Sequence, residues 1–385
     1  MAIAFIHTAD WQLGAPFGFV PGDAGAALRD ARFAVVRRIA LLAWEKAVDA
    51  VLVAGDVFDG NAVSDATVNR ALDAMAPFGG PWVLLPGNHD AALAESVWTR
   101  LASRSDLPKN IVLATEPRPL PLAEDRLVVL PAPLRRRHES ADLTGWFDGA
   151  LTPEGAIRVG LAHGSIEGLL PEDADVHNPI AADRAARARL DWLALGDWHG
   201  TVAINAHTAY SGTPEPDRFK DNEPGAVLLV RIAGVGARPE VERMVTGAYC
   251  WHRIEASVYG TDDVRALEDR LRRLAENGAA LDRQLVKLTL RGAPDLDTRR
   301  ALDERLAGWR EPRLRWLDVD DTGLLPEPSS DDLDRLGRHG FVGAAALRLR
   351  ARAADPADPE QGVARLALQM LYLESVRLDD GTGPC

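Results

Sequence analysis

At 385 residues, with 57 acidic against 44 basic side chains and a formal net charge of −13, the chain is long enough for one large domain and one or two smaller ones. That charge excludes a globally basic nucleic-acid coat but leaves room for a local basic groove. The two cysteines, Cys250 and Cys385, make neither a disulfide framework nor a zinc site, no stretch approaches the ~20 apolar residues of a membrane span, and the N-terminal strand runs straight into His7 and Asp10 without a basic-then-apolar leader. A cytoplasmic protein with no membrane contact is expected.

Residues 2–7 read as an apolar strand ending in the turn Thr8-Ala9-Asp10-Trp11-Gln12-Leu13-Gly14. Residues 26–49 carry Leu28, Phe33, Val36, Ile39 and Leu42 at helical spacing. A second strand, 51–54, stops at Gly55-Asp56-Val57-Phe58-Asp59; Ser64 is placed to cap a helix through Leu72 to Met75. A third strand, 82–85, enters Pro86-Gly87-Asn88-His89-Asp90. This strand–helix–strand alternation predicts parallel pairing with crossover helices.

From residue 111 the strands come closer together, at 111–114, 127–130, 157–162, 193–195, 226–232 and 240–245. They predict a second sheet packed on the first, so the fold class is α/β, a two-sheet sandwich flanked by helices. The domains expected are a catalytic domain over 1–248, a small α+β capping domain over 249–321 with a charged helix at 262–275, and a linker with C-terminal helical patches over 322–385. Those patches, 331–336 and 362–375, are separated by the breaker Asp355-Pro-Ala-Asp-Pro359. The apolar side chains of 362–375 either fold back on a core or dock on a partner helix.

Five strands therefore end in turns bearing Asp10 with Gln12, Asp56, Asn88, His163, and Asp197 with His199. The carboxyl ends of parallel strands are where an open α/β sheet keeps its chemistry. Carboxylates, amide oxygens and imidazoles are the donors that a pair of divalent cations requires. Asp56 is the candidate bridge between ions roughly 3.5 to 4 Å apart, where a water becomes acidic enough for in-line attack on phosphorus. His89 follows Asn88 and is the candidate for stabilising the transition state or protonating the leaving oxygen, with Asp90 orienting it. Asp59 and Asp90 are otherwise turn residues.

In order, these motifs resemble the calcineurin-type metallophosphoesterases and, within them, the bacterial exonuclease subunits related to Mre11 and SbcD. The Gly55-Asp56-Val57-Phe58-Asp59 form, the stretch Tyr210-Ser211-Gly212-Thr213-Pro214 and the small domain near Trp251 carry the finer likeness. The resemblance implies a four-layer metallophosphoesterase fold, two divalent ions (most commonly Mn2+, with Mg2+ or Fe as alternatives), DNA as substrate, an SbcC/Rad50-like ATPase partner and homodimerisation. Two positions depart from its pattern: Gln12 and Asp197 stand where histidines are usual. Both shift the donors toward oxygen, which favours manganese or magnesium over zinc.

Trp11 and Trp198 lie inside ligand motifs and either stack a base or pack internally. Arg135 and Arg136 begin a basic run that either meets DNA phosphates or is a solvated loop. The reading is a metal-dependent DNA exonuclease subunit in repair. Its alternatives are a phosphoesterase for nucleotides or cyclic nucleotides, and a partly degenerate scaffold without catalysis.

Overall fold

The sequence's apolar runs become strands because their side chains are buried on both faces, as parallel strands covered by crossover helices must be. The computed structural model describes residues 2–168, 177–220, 222–310, 313–324, 340–355 and 357–379. In chain order, β1 (Ile3–Thr8), α1 (Gly22–Glu45), β2 (Ala50–Val53), α2 (Asp65–Met75), β3 (Trp82–Leu84), α3 (Val97–Ala102) and β4 (Ile111–Leu113) form a run of parallel strands with helical crossovers. Ser64 does cap α2, accepting the Thr67 backbone N–H at 3.2 Å, and Ser96 and Thr99 close a capping box at the start of α3.

Next come β5 (Leu120–Leu122), β6 (Leu127–Ala132), β7 (Ile157–His163), β8 (Ser165–Ile166), β9 (Pro179–Ile180), α4 (Arg184–Arg187), β10 (Trp192–Gly196), β11 (Val202–Asn205) and β12 (Thr208–Tyr210). The second sheet has the order β11-β12-β10-β7-β6-β5. The chain then returns: β13 (Ala226–Ile232) lies antiparallel to β1, with Ile3 opposite Ile232, and β14 (Glu240–Val245) pairs outside it. The first sheet is therefore β14-β13-β1-β2-β3-β4. The strands expected at 111–114, 226–232 and 240–245 belong to this sheet and not to the second. β4 is held there by its register on β3, Trp82 opposite Ile111, and β13 is apolar on both faces, which suits an interior position beside β1.

Phe5, Leu52 and Val83 of the first sheet meet Val129, Leu161 and Trp192 of the second in a buried core between the sheets. α1 and α2 cover the other face of the first sheet through Val36, Ile39, Val68 and Met75. Phe147, Ala185 and Leu190 cover the other face of the second. The expected sandwich flanked by helices is the observed one. Each fully buried Val, Leu, Ile or Phe contributes roughly 1.5–3 kcal/mol, so this interior fixes the strand ends on which the site depends.

The chain divides into two units, Met1–Tyr249 and Cys250–Cys385. In the second, β15 (Cys250–Ser257), α5 (Thr261–Arg273), β16 (Gln284–Gly292), α6 (Leu296–Ala307) and β17 (Trp316–Leu324) make a three-stranded parallel sheet with helical crossovers. Its core contains Ile254, Leu267, Leu271, Val286, Leu288, Leu302 and Trp309. β17 runs through Leu324, beyond the expected boundary at 321, because Leu324 is buried opposite Gly292. α7 (Gly340–Ala354) is an addition to the expected elements, whereas α8 (Gln361–Asp379) contains the helical patch at 362–375. The expected helix at 331–336, most of the linker and Cys385 lie outside the described residues. Among the described residues no helix is long and apolar enough to cross a membrane.

Candidate metal centre

The turn after β1 lies along the turn after β2: Asp10, Gln12 and Leu13 donate their backbone N–H groups to the carbonyls of Gly55, Asp56 and Val57 at 3.1, 2.8 and 3.0 Å. The fit is tight. Gly55 has φ +91°, and a Cβ there would sit 2.2 Å from His163 Nδ1; one on Gly87 would sit 2.2 Å from an Asp56 carboxylate oxygen. Asp10, Gln12, Asp56 and Asp197 all adopt positive φ, at 55°, 45°, 52° and 102°. For residues with a Cβ that conformation is uncommon and costs about 1–3 kcal/mol where strained. Four such positions in one side-chain cluster indicate that backbone energy is stored there to aim donors.

Those donors meet. His163 donates Nδ1–H to the Ala54 carbonyl at 2.8 Å, which leaves Nε2 as the coordinating nitrogen. Around Nε2 stand Asn88 Oδ1 at 3.1 Å, Asp56 Oδ1 at 3.6 Å and Asp197 Oδ1 at 3.7 Å. One ligand atom each from Asp10, Asp56 and His163 lies within 4.8 Å of the others. Asp10 also accepts the Asp197 backbone N–H at 3.1 Å. Gln12 and His199 pair beside this cluster, amide nitrogen to Nε2 at 3.4 Å; with the amide turned, its oxygen would be available to a cation held there. The side chains expected as ligands thus lie in this cluster or, for Gln12 and His199, beside it. The facing lone pairs of Asn88 and His163 require a shared cation or a proton between them, and the oxygen-rich set fits hard divalent ions.

Charge explains the same arrangement. Burial raises the Asp10 carboxyl to about 6, against the pull of His199 and His163. Burial disfavours the charged form of His163, but Asp56, Asp10 and Asp197 overcome it and raise the imidazole to about 9. Packing several buried carboxylates round one imidazole is costly for the protein alone, and a bound cation inverts that cost.

His89 lines the cleft with Asp56, Asn88, Asp197, Trp198 and His199. Its backbone N–H donates to Asp56 Oδ1 at 2.9 Å. Asp90 does not orient its ring. The Asp90 carboxylate is fully buried and accepts the Phe58 and Gly87 N–H groups at 3.0 and 2.7 Å, tying the second turn to the third. Burial and the nearby Asp56 raise Asp90 to about 8. Asp59 is the partner instead: His89 Nδ1 donates to its carbonyl at 3.2 Å and lies 3.9 Å from its carboxylate. Trp11 is not at the cleft. It is fully buried, edge-on to Trp82, with Nε1–H on Thr8 Oγ1 at 2.9 Å, so it packs and cannot stack a substrate. Arg135 and Arg136 are exposed after β6, outside the residues that line the cleft.

Sequence reasoning misses Asp217 and Arg32, and gives Tyr210 a place in a motif but no role. Asp217 is buried 2.9 Å from His199 Nδ1, and Arg32 of α1 reaches it at 3.3 Å. Burial would raise that carboxyl, but His199, Arg32 and Arg218 hold it well below the usual range. Such a carboxylate fixes the imidazole's orientation toward a metal. Tyr210 donates to the Gly164 carbonyl at 2.8 Å and accepts the Ile166 N–H at 3.0 Å, bracing the turn after His163. The Tyr210-to-Pro214 stretch is distinctive as a motif, but nothing in its spacing points to contacts with α1.

The sequence profile of the calcineurin-like phosphoesterases (Metallophos) matches residues 3–231. The chain belongs to that family. This calcineurin-like phosphoesterase is 25% identical over 317 residues to the uncharacterized metallophosphoesterase YhaO of Bacillus subtilis, covering 76% of this chain and 73% of that one. It is 28% identical over 291 residues to the DNA double-strand break repair protein Mre11 of Aeropyrum pernix, covering 71% and 68%. Among solved structures, TT1561 of Thermus thermophilus is similar with a TM-score of 0.40 and 12% identity, over 64% of this chain and 100% of that one.

Proposed function

We propose that this phosphoesterase is a metal-dependent phosphodiesterase acting on DNA, an exonuclease-like subunit in repair that works with an SbcC/Rad50-like ATPase. The observation that carries the reading is the convergence of Asp10, Gln12, Asp56, Asn88, His163, Asp197 and His199, with His89 beside them in the cleft. Those seven residues would hold two divalent ions, manganese by the oxygen-rich set. Divalent ions held there would supply Lewis acidity to a phosphoryl oxygen and to the attacking water. His89, oriented by Asp59, donates a proton to the leaving oxygen or stabilises its charge. Asp217 and Ala54 hold the imidazoles of His199 and His163 in the required orientation.

For DNA, support comes from the similarity to Mre11 and from a cleft whose lining combines Trp198 with cations. For a partner, support comes from α8, where Val363, Leu366 and Met370 are exposed at 66, 49 and 59% on one helical face. The scaffold alternative is disfavoured because Asp197 stands in the ligand cluster and Gln12 beside it, on His199. The test is hydrolysis of single-stranded DNA, duplex ends and a small diester with added Mn2+, with Asn88→Ala as control. Cleavage of DNA lost in Asn88→Ala supports the reading; cleavage of the small diester alone replaces it with a small-substrate phosphoesterase.

A further inference from the structure

Besides Asp56, Asn88, His89, Asp197 and His199, the cleft of about 190 Å³ is lined by Trp198, Arg218, Lys220 and Asn222. None of these is needed to hold an ion. Arg218 and Lys220 are the cleft's arginine and lysine, and both come from the segment that follows β12. The base of that segment is fixed from beneath: Thr213 donates its hydroxyl to the Asp10 carbonyl at 2.9 Å and its N–H to the His199 carbonyl at 3.0 Å. Arg32 donates to the Glu215 carbonyl at 3.1 Å, and the Glu215 carboxylate accepts the N–H groups of Ala248 and Tyr249 at 2.8 and 2.9 Å.

From this base Asp217 accepts Arg218 Nε–H and Nη2–H at 3.0 and 2.9 Å. The bidentate pair sets the guanidinium plane and leaves its remaining donors unengaged by Asp217. Nη2 lies 3.5 Å from His199 Nε2, the edge that faces the ligand cluster, while the side chain remains 44% exposed. A fixed guanidinium with spare donors, beside a cluster of three carboxylates, is a site for phosphoryl oxygens. Trp198, between Asp197 and His199, is 37% exposed and lines the same cleft, a flat face of the kind on which a base stacks.

We propose that Arg218 and Lys220 grip the phosphoryl oxygens of the substrate and that Trp198 stacks the base attached to them, so the cleft takes one nucleoside phosphate unit with its base unpaired. Single-stranded nucleic acid or a frayed end presents such a unit. The assignment rests on phosphoester chemistry occurring in this cleft.

Two measurements on the full chain with Mn2+ test it. In calorimetry with Mn2+ saturating in every variant, Trp198→Ala weakens thymidine 5′-phosphate about tenfold and inorganic phosphate less than twofold, and Arg218→Ala with Lys220→Ala weakens both ligands at least tenfold. In kinetics, Trp198→Ala lowers about tenfold the preference for the p-nitrophenyl ester of thymidine 5′-phosphate over methyl p-nitrophenyl phosphate. Unchanged nucleotide and phosphate affinities in all variants, or equal losses of both ligands in Trp198→Ala, overturn the proposal. If wild type hydrolyses both diesters and the variants behave like it, the grip fails and the phosphodiesterase reading stands. If wild type hydrolyses neither, that reading falls and the calorimetry alone decides the grip.

Discussion

His89 and its neighbours show how one tetrapeptide divides its labour once folded. Asn88 turns toward His163, Asp90 turns into the interior to hold the backbone of Phe58 and Gly87, and His89 faces the cleft with Asp59 behind it. His89→Asn should lower kcat on a diester by about 10²–10⁴-fold, with bound metal unchanged by elemental analysis. Asp59→Asn should cost much less in rate, and Asp90→Asn should act chiefly on stability. Rate losses for Asp90→Asn equal to those of His89→Asn, with Asp59→Asn neutral, would contradict this division. His7 offers a separate test away from the ligands. It is fully buried, donates Nε2–H to the Leu195 carbonyl at 3.0 Å, and burial lowers its pKa to about 3. The unfolded chain takes up this proton below about 6.5 while the folded chain does not. Its contribution is therefore complete above about 6.5 and is lost as pH falls toward about 3, at up to about 1.4 kcal/mol per pH unit. His7→Gln should remove that component from urea unfolding followed between about pH 7 and about pH 4; identical pH slopes in both proteins would refute it.

At the scale of elements, α1 does more than cover a sheet. Its Arg32 is 1% exposed and reaches Thr213, Glu215 and Asp217, so a crossover helix near the start of the chain supports the segment that orients His199. Removing one partner of a buried ion pair typically costs about 3–5 kcal/mol. Arg32→Met should destabilise by about 3 kcal/mol, because Asp217 keeps Arg218, and should weaken Mn2+ binding; a midpoint within error of wild type would show that the buried pair is dispensable. The sequence exposed the alternation of strand and helix and the polar turns, since periodicity and Gly-Asp, Gly-Asn steps are local. It did not expose the long-range pairing of β13 with β1, nor the ion pair from α1 to Asp217. Those contacts are set by packing between elements, which leaves no spacing in the chain. For the same reason the candidate ligands were legible, each lying at a strand end, while the partner of His89 is Asp59, from the preceding turn, and not the adjacent Asp90 that chain order suggests.

For the whole molecule, a formal net charge of −13 repels a polyanion at long range. On the proposed reading, DNA would therefore have to be held by local cations or by a partner that supplies them. The apolar face of α8 is where such a partner is proposed to dock, and Leu366→Glu with Met370→Glu should abolish copurification of the ATPase while thermal unfolding remains as in wild type; retention of the ATPase would remove α8 from the interface. The strand-end turns would hold two divalent ions, with Asp56 among their ligands. Mn2+ stoichiometry by calorimetry, with diester hydrolysis on the same samples, tests it most directly: two ions per chain in wild type, and at most one in Asp56→Ala with hydrolysis lost. No Mn2+ bound by wild type, or full hydrolysis retained by Asp56→Ala, would contradict it.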